Sequence, residues 1–382
     1  MTAGFSRKEV LSGVKRIVLK LGSSVVTTEK GLDHPTIRGL VNDVCRYIAQ
    51  GKEFIIVSSG AVAAGARRMR LTEPPRTIPQ KQAAASVGQT RLMVAYEAAF
   101  GTHGIRVGQV LLTRDDISHR HRYLNARNTL MTLLAWGAVP VINENDTVMV
   151  EEIKLGDNDN LSALVAALCD ADLLTTLTDT EGLMDCDPTQ NPDACLIPLV
   201  EEIKPELKKL ASGPSSGVGR GGMASKIAAA EKTTVFGIPM IIAPGKTPSI
   251  IPRIMKGEIC GTLILAAKER MSARKHWIRY NLEPEGTLAV DEGAATALTR
   301  NKKSLLPVGL IHVDGRFEPG AAVKIRDRDG VILAVGLSNY SSEELEKVRG
   351  RQTAEIDWVL GYRRNEEVVH VDNMVILADE EA

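Results

Sequence analysis

FIIVSSGAVAAG (residues 54–65) decides the architecture: four apolar residues in a row (54–57), a turn of small residues (58–61), then an alanine-rich helical stretch. A run that is apolar at every position, with no alternation, belongs to a strand buried on both faces. The unit recurs in both directions. IVL (17–19) leads through GSS (22–24) to a helical segment from Pro35 to Gln50. VGQVLLT (107–113) precedes a helix through YLNARNTLMTLLAW (123–136), and AVPVI (138–142) and the helix LSALVAALC (161–169) follow. The strand DLLTTLTD (172–179), a helix from Met223 to about Phe236 and the strand IPMIIA (238–243) close the series. Alternating strands and helices predict an α/β fold with a mostly parallel sheet and right-handed crossovers. Ligands of such sheets sit beyond the carboxyl ends of the strands, so the loops after the strands are the candidate site.

The pattern changes at 268–284, where KERMSARKHWIRYNLEPEG (268–286) is charged and ends in a Pro- and Gly-containing turn. Beyond it, LIHVDG (310–315), AAVKIRDRDG (321–330) and VILAVG (331–336) read as short strands of a small β-rich domain, with a helical segment near 341–349. The expected division is 12–268, a linker at 269–284, and 285–364. Two or three domains also suit 382 residues. Hydrophobic residues at 44% and charged residues at 25% exclude wholesale disorder. With 47 Lys and Arg against 47 Asp and Glu, the whole chain lacks the basic excess of a nucleic-acid binder. No apolar run reaches the length of a membrane span, and the first residues, MTAGFSRKEV, hold no signal-peptide core. Five scattered cysteines without a CxxC pair argue against a disulfide framework or structural zinc, and for a reducing, cytoplasmic setting.

Several motifs carry chemistry. GVGRGG (217–222) satisfies GxGxxG, but a loop precedes it where a dinucleotide fold requires a strand. APGKT (243–247) fails as a P-loop, because Met240 stands where the first glycine belongs and Pro248 follows. What survives is a glycine-rich loop opening into a helix with Lys226 in its first turn, a geometry suited to phosphate oxygens. A flexible surface loop is the alternative. Lys20 closes an apolar strand before Leu21-Gly22-Ser23-Ser24, a costly place for an ammonium unless an anion meets it, although an exposed strand-end lysine is the plainer explanation. NEND (143–146) and GDNDN (156–160) mass short acids and amides at strand and helix ends. They lack the ligand order of a calcium loop. Asp159 or Asn160 as helix cap accounts for one of these residues, not four. The small residues of SSGAVAAG (58–65) leave backbone donors free for a carboxylate, or serve close helix packing. None of the seven histidines lies in these motifs, and Cys169 ends an apolar helix as a core residue.

In this order the pieces resemble the amino acid kinase family. The carrying segments are VLKLGSSVV (18–26), IIVSSGAVAAG (55–65), KQAAASVGQTRL (81–92), VGQVLLTRDD (107–116), YLNARNTL (123–130), PVINENDTV (140–148), IKLGDNDNLSALVA (153–166), LLTTLTDTEGL (173–183) and GVGRGGMASK (217–226). The tail, from TLAVDEGAATAL (287–298) to EIDWVLGY (355–362), resembles a PUA domain. Aspartate, acetylglutamate and uridylate kinases share the fold but not NEND followed by GDNDN.

The resemblance implies a three-layer α/β sandwich around a mostly parallel sheet, followed by the small β-rich PUA domain. It implies ATP-dependent phosphorylation of the γ-carboxylate of L-glutamate, the first step of proline biosynthesis, with feedback inhibition by proline and a homo-oligomer. Lys20, Asp159 and Lys226 would be the catalytic set, Asp159 holding both lysines. Ser59, Asp146 and Asn158 would bind glutamate. Lys20, Thr178, Asp179, Arg220, Gly221, Gly222, Met223, Ala224, Ser225 and Lys226 would hold ATP, with Mg²⁺ bound chiefly through the nucleotide's phosphates and no dedicated metal ligands. Arg220 stands where the family pattern usually has threonine.

The residue inventory agrees with that chemistry. A glutamate γ-carboxylate has an ordinary pKa of about 4.3, so it is an anion at neutral pH and needs no general base. Catalysis then reduces to positioning and charge neutralisation. The alternatives are another carboxylate or carbamate kinase of the same fold, or an RNA-binding PUA protein. Residues 270–382 carry 16 Lys and Arg against 19 Asp and Glu, a balance that does not favour RNA despite the local patch Arg300, Lys302 and Lys303.

Overall fold

The computed structural model describes residues 6–118, 120–148, 158–186, 191, 193–211, 222–267, 282–363 and 365–377. The chain divides into two compact units, residues 1–270 and 271–382.

In the first unit the main strands are β1 (Arg16–Leu21), β4 (Glu53–Ser58), β5 (Val107–Leu112), β6 (Val139–Glu144), β7 (Leu173–Thr178), β8 (Leu199–Val200), β9 (Met240–Pro244) and β10 (Thr262–Ile264). A separate two-stranded ribbon joins β2 (Thr27–Thr28) to β3 (Gly31–Leu32). The eight main strands form one sheet in the order β5-β6-β4-β1-β7-β9-β10-β8. Every neighbouring pair is parallel except β9 with β10. The short β8 and the antiparallel β10 extend the sheet beyond the strand–helix units that the apolar runs predict.

The period of two in a strand sends alternate residues to opposite faces, and here both faces are covered. Ile17, Leu19 and Leu21 of β1 join a core with the helices His34–Ile48 and Ile78–Gly101. Val18 joins the opposite core, built on the helices Asn158–Leu168 and Met223–Val235. Phe54 and Ile56 of β4 face the first core, and Ile55 and Val57 the second. The result is the three-layer α/β sandwich. Lys20 shares the parity of Val18, so β1 aims its ammonium at the layer holding Asn158–Leu168 and Met223–Val235.

Two helix starts matter for the site. Ile78–Gly101 opens on a capping box between Thr77 and Gln80. It then crosses the helix Ala61–Arg68 with backbones in contact: a Cβ added to Gly88 would lie 1.7 Å from the carbonyl oxygen of Ala61. The small residues of SSGAVAAG thus do serve close packing, helix on helix. The helix predicted from residue 161 starts earlier, at Asn158. Asp159 and Asn160 therefore lie within its first turn, which corrects their reading as caps.

The second unit has a five-stranded sheet of β11 (Gly286–Val290), β12 (Leu310–Gly315), β13 (Ala322–Arg326), β14 (Ile332–Leu337) and β15 (Met374–Ile376), in the order β12-β11-β13-β14-β15. Its own core gathers Leu288, Val290, Leu298, Val323, Ile325 and Tyr340. The helix Ser342–Val348 starts on a capping box of Ser341 and Glu344. Among the described residues, no helix is long and apolar enough to cross a membrane.

Candidate active site

Four central strands, β6, β4, β1 and β7, run parallel and end along one edge of the sheet. Leu21 is level with Ser58 of β4 and Leu177 of β7. The loops after them are tied together at that edge. The backbone N–H of Ser59 donates to the carbonyl of Leu21 at 3.0 Å, and that of Gly22 donates to the carbonyl of Leu177 at 3.0 Å. Gly60 turns the chain from β4 into the next helix at φ +104°, where an added Cβ would lie 2.8 Å from Val26. A left-handed turn this close to its neighbour accepts only glycine without strain.

At this edge three charged side chains are buried together. Asp159 is 0% exposed, Lys20 4% and Lys226 3%. Lys20 forms an ion pair with Oδ1 of Asp159, while Lys226 Nζ lies 3.4 Å from Oδ2. The Ser225 hydroxyl donates to the same Oδ2 at 2.7 Å. Burial pushes the Asp159 carboxyl up, but Lys20 first, then Lys226 and the Ser225 hydroxyl, outweigh it and hold the group below its ordinary value. Two ammonium groups thus share one carboxylate in a desolvated place, and Lys226 also acts on the carboxyl of Asp179.

Next to Asp159 in sequence, Asn158 faces a second group of polar side chains. Its Nδ2 donates to Ser59 Oγ at 2.7 Å and to Asn143 Oδ1 at 3.0 Å. Asn143, from NEND, in turn donates to Gln89 Oε1 at 2.8 Å. Ser58 Oγ and the buried Tyr96 hydroxyl share a hydrogen bond of 2.8 Å. Asp146 opens a 3-10 turn, Asp146–Val148, directly after β6, and is half-buried.

On the other side, Thr178 ends β7 and donates its hydroxyl to Asp179 at 3.1 Å. Desolvation raises the Asp179 carboxyl, but its own backbone N–H, the hydroxyls of Thr178 and Ser24, and the charge of Lys226 bring it below the ordinary value. Gly222 is the N-cap of the helix Met223–Val235, and among the described residues no side chain caps that start. N–H groups at a helix start suit an anionic acceptor.

The structure thus brings together Lys20, Asp159, Ser225 and Lys226, and joins them through Asn158 to Ser59. Thr178, Asp179, Gly222, Met223 and Ala224 flank that cluster on the strand end and helix start. Arg220 and Gly221, with most of GVGRGG and the first two residues of GDNDN, lie outside the described residues. Asn143, Gln89, Tyr96 and Ser24 were absent from the residues singled out as a site. Asn143 belongs to NEND and Gln89 to the segment KQAAASVGQTRL, so the signal was a polar residue inside an otherwise apolar or alanine-rich run.

The amino acid kinase family model matches residues 15–244, and the PUA domain model matches residues 286–360. The chain is 52% identical over 372 residues to the glutamate 5-kinase of Geobacter sp. (strain M21), covering 97% of this chain and 100% of that protein. It is 51% identical over 372 residues to the glutamate 5-kinase of Citrifermentans bemidjiense, with 97% and 100% covered. Among solved structures, the UMP kinase from Bacillus anthracis matches 66% of this chain and 96% of its own, at 15% identity and a TM-score of 0.46. The family match covers most of the first unit and the relatives nearly the whole chain: the protein belongs to the amino acid kinase family and carries a PUA domain.

Proposed function

We propose that the chain transfers the γ-phosphoryl group of ATP to the γ-carboxylate of L-glutamate. A carboxylate oxygen forms the new bond to phosphorus, the bond to the ADP oxygen breaks, and L-glutamyl 5-phosphate is the product. The observation that carries this reading is the pair of buried lysines on one carboxylate, next in sequence to Asn158 and its hydrogen-bonded group of amides and hydroxyls.

Both reactants are anions, so repulsion is the main obstacle, and no proton has to be removed from the nucleophile. Lys20 and Lys226 neutralise charge that spreads over the transferring phosphoryl oxygens. Asp159 is the positioning residue that holds the two ammonium groups apart and aimed. Ser59, Asp146 and Asn158 bind glutamate. Thr178, Asp179 and residues 220–226 hold the nucleotide, whose phosphates meet the start of the helix Met223–Val235. Asp159 already has both oxygens engaged by ammonium and hydroxyl groups. Mg²⁺ fits this site as an ion carried on the nucleotide's phosphate oxygens, and when bound it supplies further charge neutralisation. Proline as an inhibitor at an overlapping site, self-association, a place at the head of proline biosynthesis and a cytoplasmic setting belong to the same reading. So does the division into a kinase domain at 12–268 and a PUA domain at 285–364.

Incubation with ATP, Mg²⁺, glutamate and hydroxylamine should yield γ-glutamyl hydroxamate. A strong preference for aspartate or N-acetylglutamate would overturn the substrate assignment.

A further inference from the structure

The cysteines are scattered in sequence, but the fold brings two of them together. Past β7 the chain doubles back on itself. Met184 bridges Leu196 in antiparallel sense, the Ile197 N–H donates to the Leu183 carbonyl at 2.8 Å, and the Asp185 N–H donates to the Cys195 carbonyl at 2.9 Å. A side chain supplies the return bond, since the Cys195 N–H donates to Asp185 Oδ1 at 2.8 Å. The Cys186 thiol donates to the same oxygen at 3.4 Å. One carboxylate oxygen thus contacts both cysteines. Cys195 stands opposite Asp185, and Cys186 is the next residue along. A one-residue offset between paired strands separates α-carbons by about 6 Å, inside the range of about 4.4–6.8 Å that a disulfide spans. Accessibility sets the pair apart as well: Cys45, Cys169 and Cys260 are buried, whereas Cys195 is exposed and Cys186 half-buried. Each sulfur makes weak, long contacts: Asn191 Nδ2 donates to Cys186 Sγ at 3.3 Å, and the Cys195 thiol donates to the Asp193 carbonyl at 3.4 Å.

We propose that Cys186 and Cys195 are a redox modification site, joined by an intramolecular disulfide when a low-molecular-weight disulfide such as oxidised glutathione is the oxidant. The exchange has two steps. The Cys195 thiolate, its proton lost to water, attacks one sulfur of the oxidant; a mixed disulfide forms and one glutathione thiolate leaves. The Cys186 thiolate then attacks Cys195 Sγ and expels the second glutathione thiolate. Two protein thiols are oxidised, one glutathione disulfide is reduced to two thiols, and the protons released by the protein end on those thiols. The order follows from the surroundings of the two sulfurs. Cys195 is the exposed one, open to a bulky oxidant. Desolvation, then the hydrogen bond and charge of Asp185, push the Cys186 thiol up, so it carries less of the attacking thiolate. An excess of small thiol reverses both steps, which makes the bond a switchable one and not part of a disulfide framework.

The test is thiol mapping on the full chain. The reduced protein is treated with oxidised glutathione at neutral pH, quenched with iodoacetamide under denaturing conditions, digested and weighed peptide by peptide. Cys186 and Cys195 should be recovered as one cross-link lacking two hydrogens, with Cys45, Cys169 and Cys260 alkylated. Dithiothreitol before the quench should return both thiols to the alkylated form. Cys186→Ser should stop at a glutathione adduct on Cys195. Cys195→Ser should gain an adduct on Cys186 several-fold more slowly than Cys186→Ser gains one on Cys195. Glutathione adducts that persist on both cysteines of the parent would overturn the proposal, because two accessible thiols out of reach of each other give that result. A disulfide between chains, or recovery of both thiols alkylated after the oxidant, would overturn it as well. Equal rates in the two variants would overturn the assignment of Cys195 as the attacking thiol.

Discussion

Lys226 holds its ammonium 3.4 Å from Oδ2 of Asp159, across the gap between the helices Met223–Val235 and Asn158–Leu168. The other oxygen of the same carboxylate takes Lys20 from β1. Two cations, one from a strand and one from a helix, are thereby fixed by one buried anion. Moving that anion loosens both, so the three residues should respond to substitution as a unit and not additively.

Lys226→Met and Asp159→Asn should each lower kcat by about 10²–10³, the usual cost of one preorganised electrostatic contact. KM for either substrate should change far less, since the contacts matter most as charge moves in the transition state. Steady-state kinetics by the hydroxamate assay measure both quantities. A variant with near-normal kcat would leave that residue outside the reaction.

The same carboxylate sets a pH dependence of stability. Its folded pKa lies below its ordinary value, so the unfolded chain binds the proton more readily. The stabilisation is complete above the unfolded value of about 3.9 and is lost as pH falls through the folded one. The stability gap between the parent and Asp159→Asn should therefore stay level from pH 8 to about 5 and close below about pH 4. Removing one partner of a buried ion pair costs about 3–5 kcal/mol, which makes the gap large enough to follow by denaturant melts. A gap that closed between pH 6 and 8 would mean that another group controls it.

Truncation after Lys268 should leave a folded, active kinase. Every site residue lies within residues 1–270, and residues 271–382 have their own sheet and core. Activity and a cooperative melt of the truncated chain are the readouts. Aggregation with loss of activity would show that the tail completes the first unit or an interface between copies.

The architecture could be read from the chain because buried parallel strands leave continuous apolar runs, as β1, β4, β6 and β9 do, while β7 is a run of Leu and β-branched Thr. β8 has two residues and β10 three, too few to show any period, and the reversal at β10 depends on pairing with β9. Lys20 stood out because an ammonium is costly in an apolar strand. Its partner Asp159 was legible through the family resemblance and not from the residues alone. Asp159 reads equally well as a helix cap until the start of the helix at Asn158 is known and the helix Met223–Val235 is packed beside it. Gln89 was harder still: its burial follows from where its helix crosses the sheet, and spacing within KQAAASVGQTRL does not encode that crossing.

Asp146 tests the substrate assignment separately from the fold. It opens the turn after β6, four residues beyond Ile142, which is level with Lys20 through Val57, and is half-buried. An acid at that position suits the ammonium group of glutamate. Losing one partner of a charged hydrogen bond costs roughly 1.5–3 kcal/mol, or about 10–150-fold in affinity. Asp146→Ala should raise KM for glutamate by that order while KM for ATP changes little. Inhibition by proline should weaken too, because proline carries a cationic amine of its own. If Asp146 serves only to hold its turn, its loss will lower the melting temperature and disturb both substrates alike. Kinetics on each substrate, paired with a melting curve, separate the two cases: equal shifts in both KM values together with a lower melting temperature would remove Asp146 from the binding site.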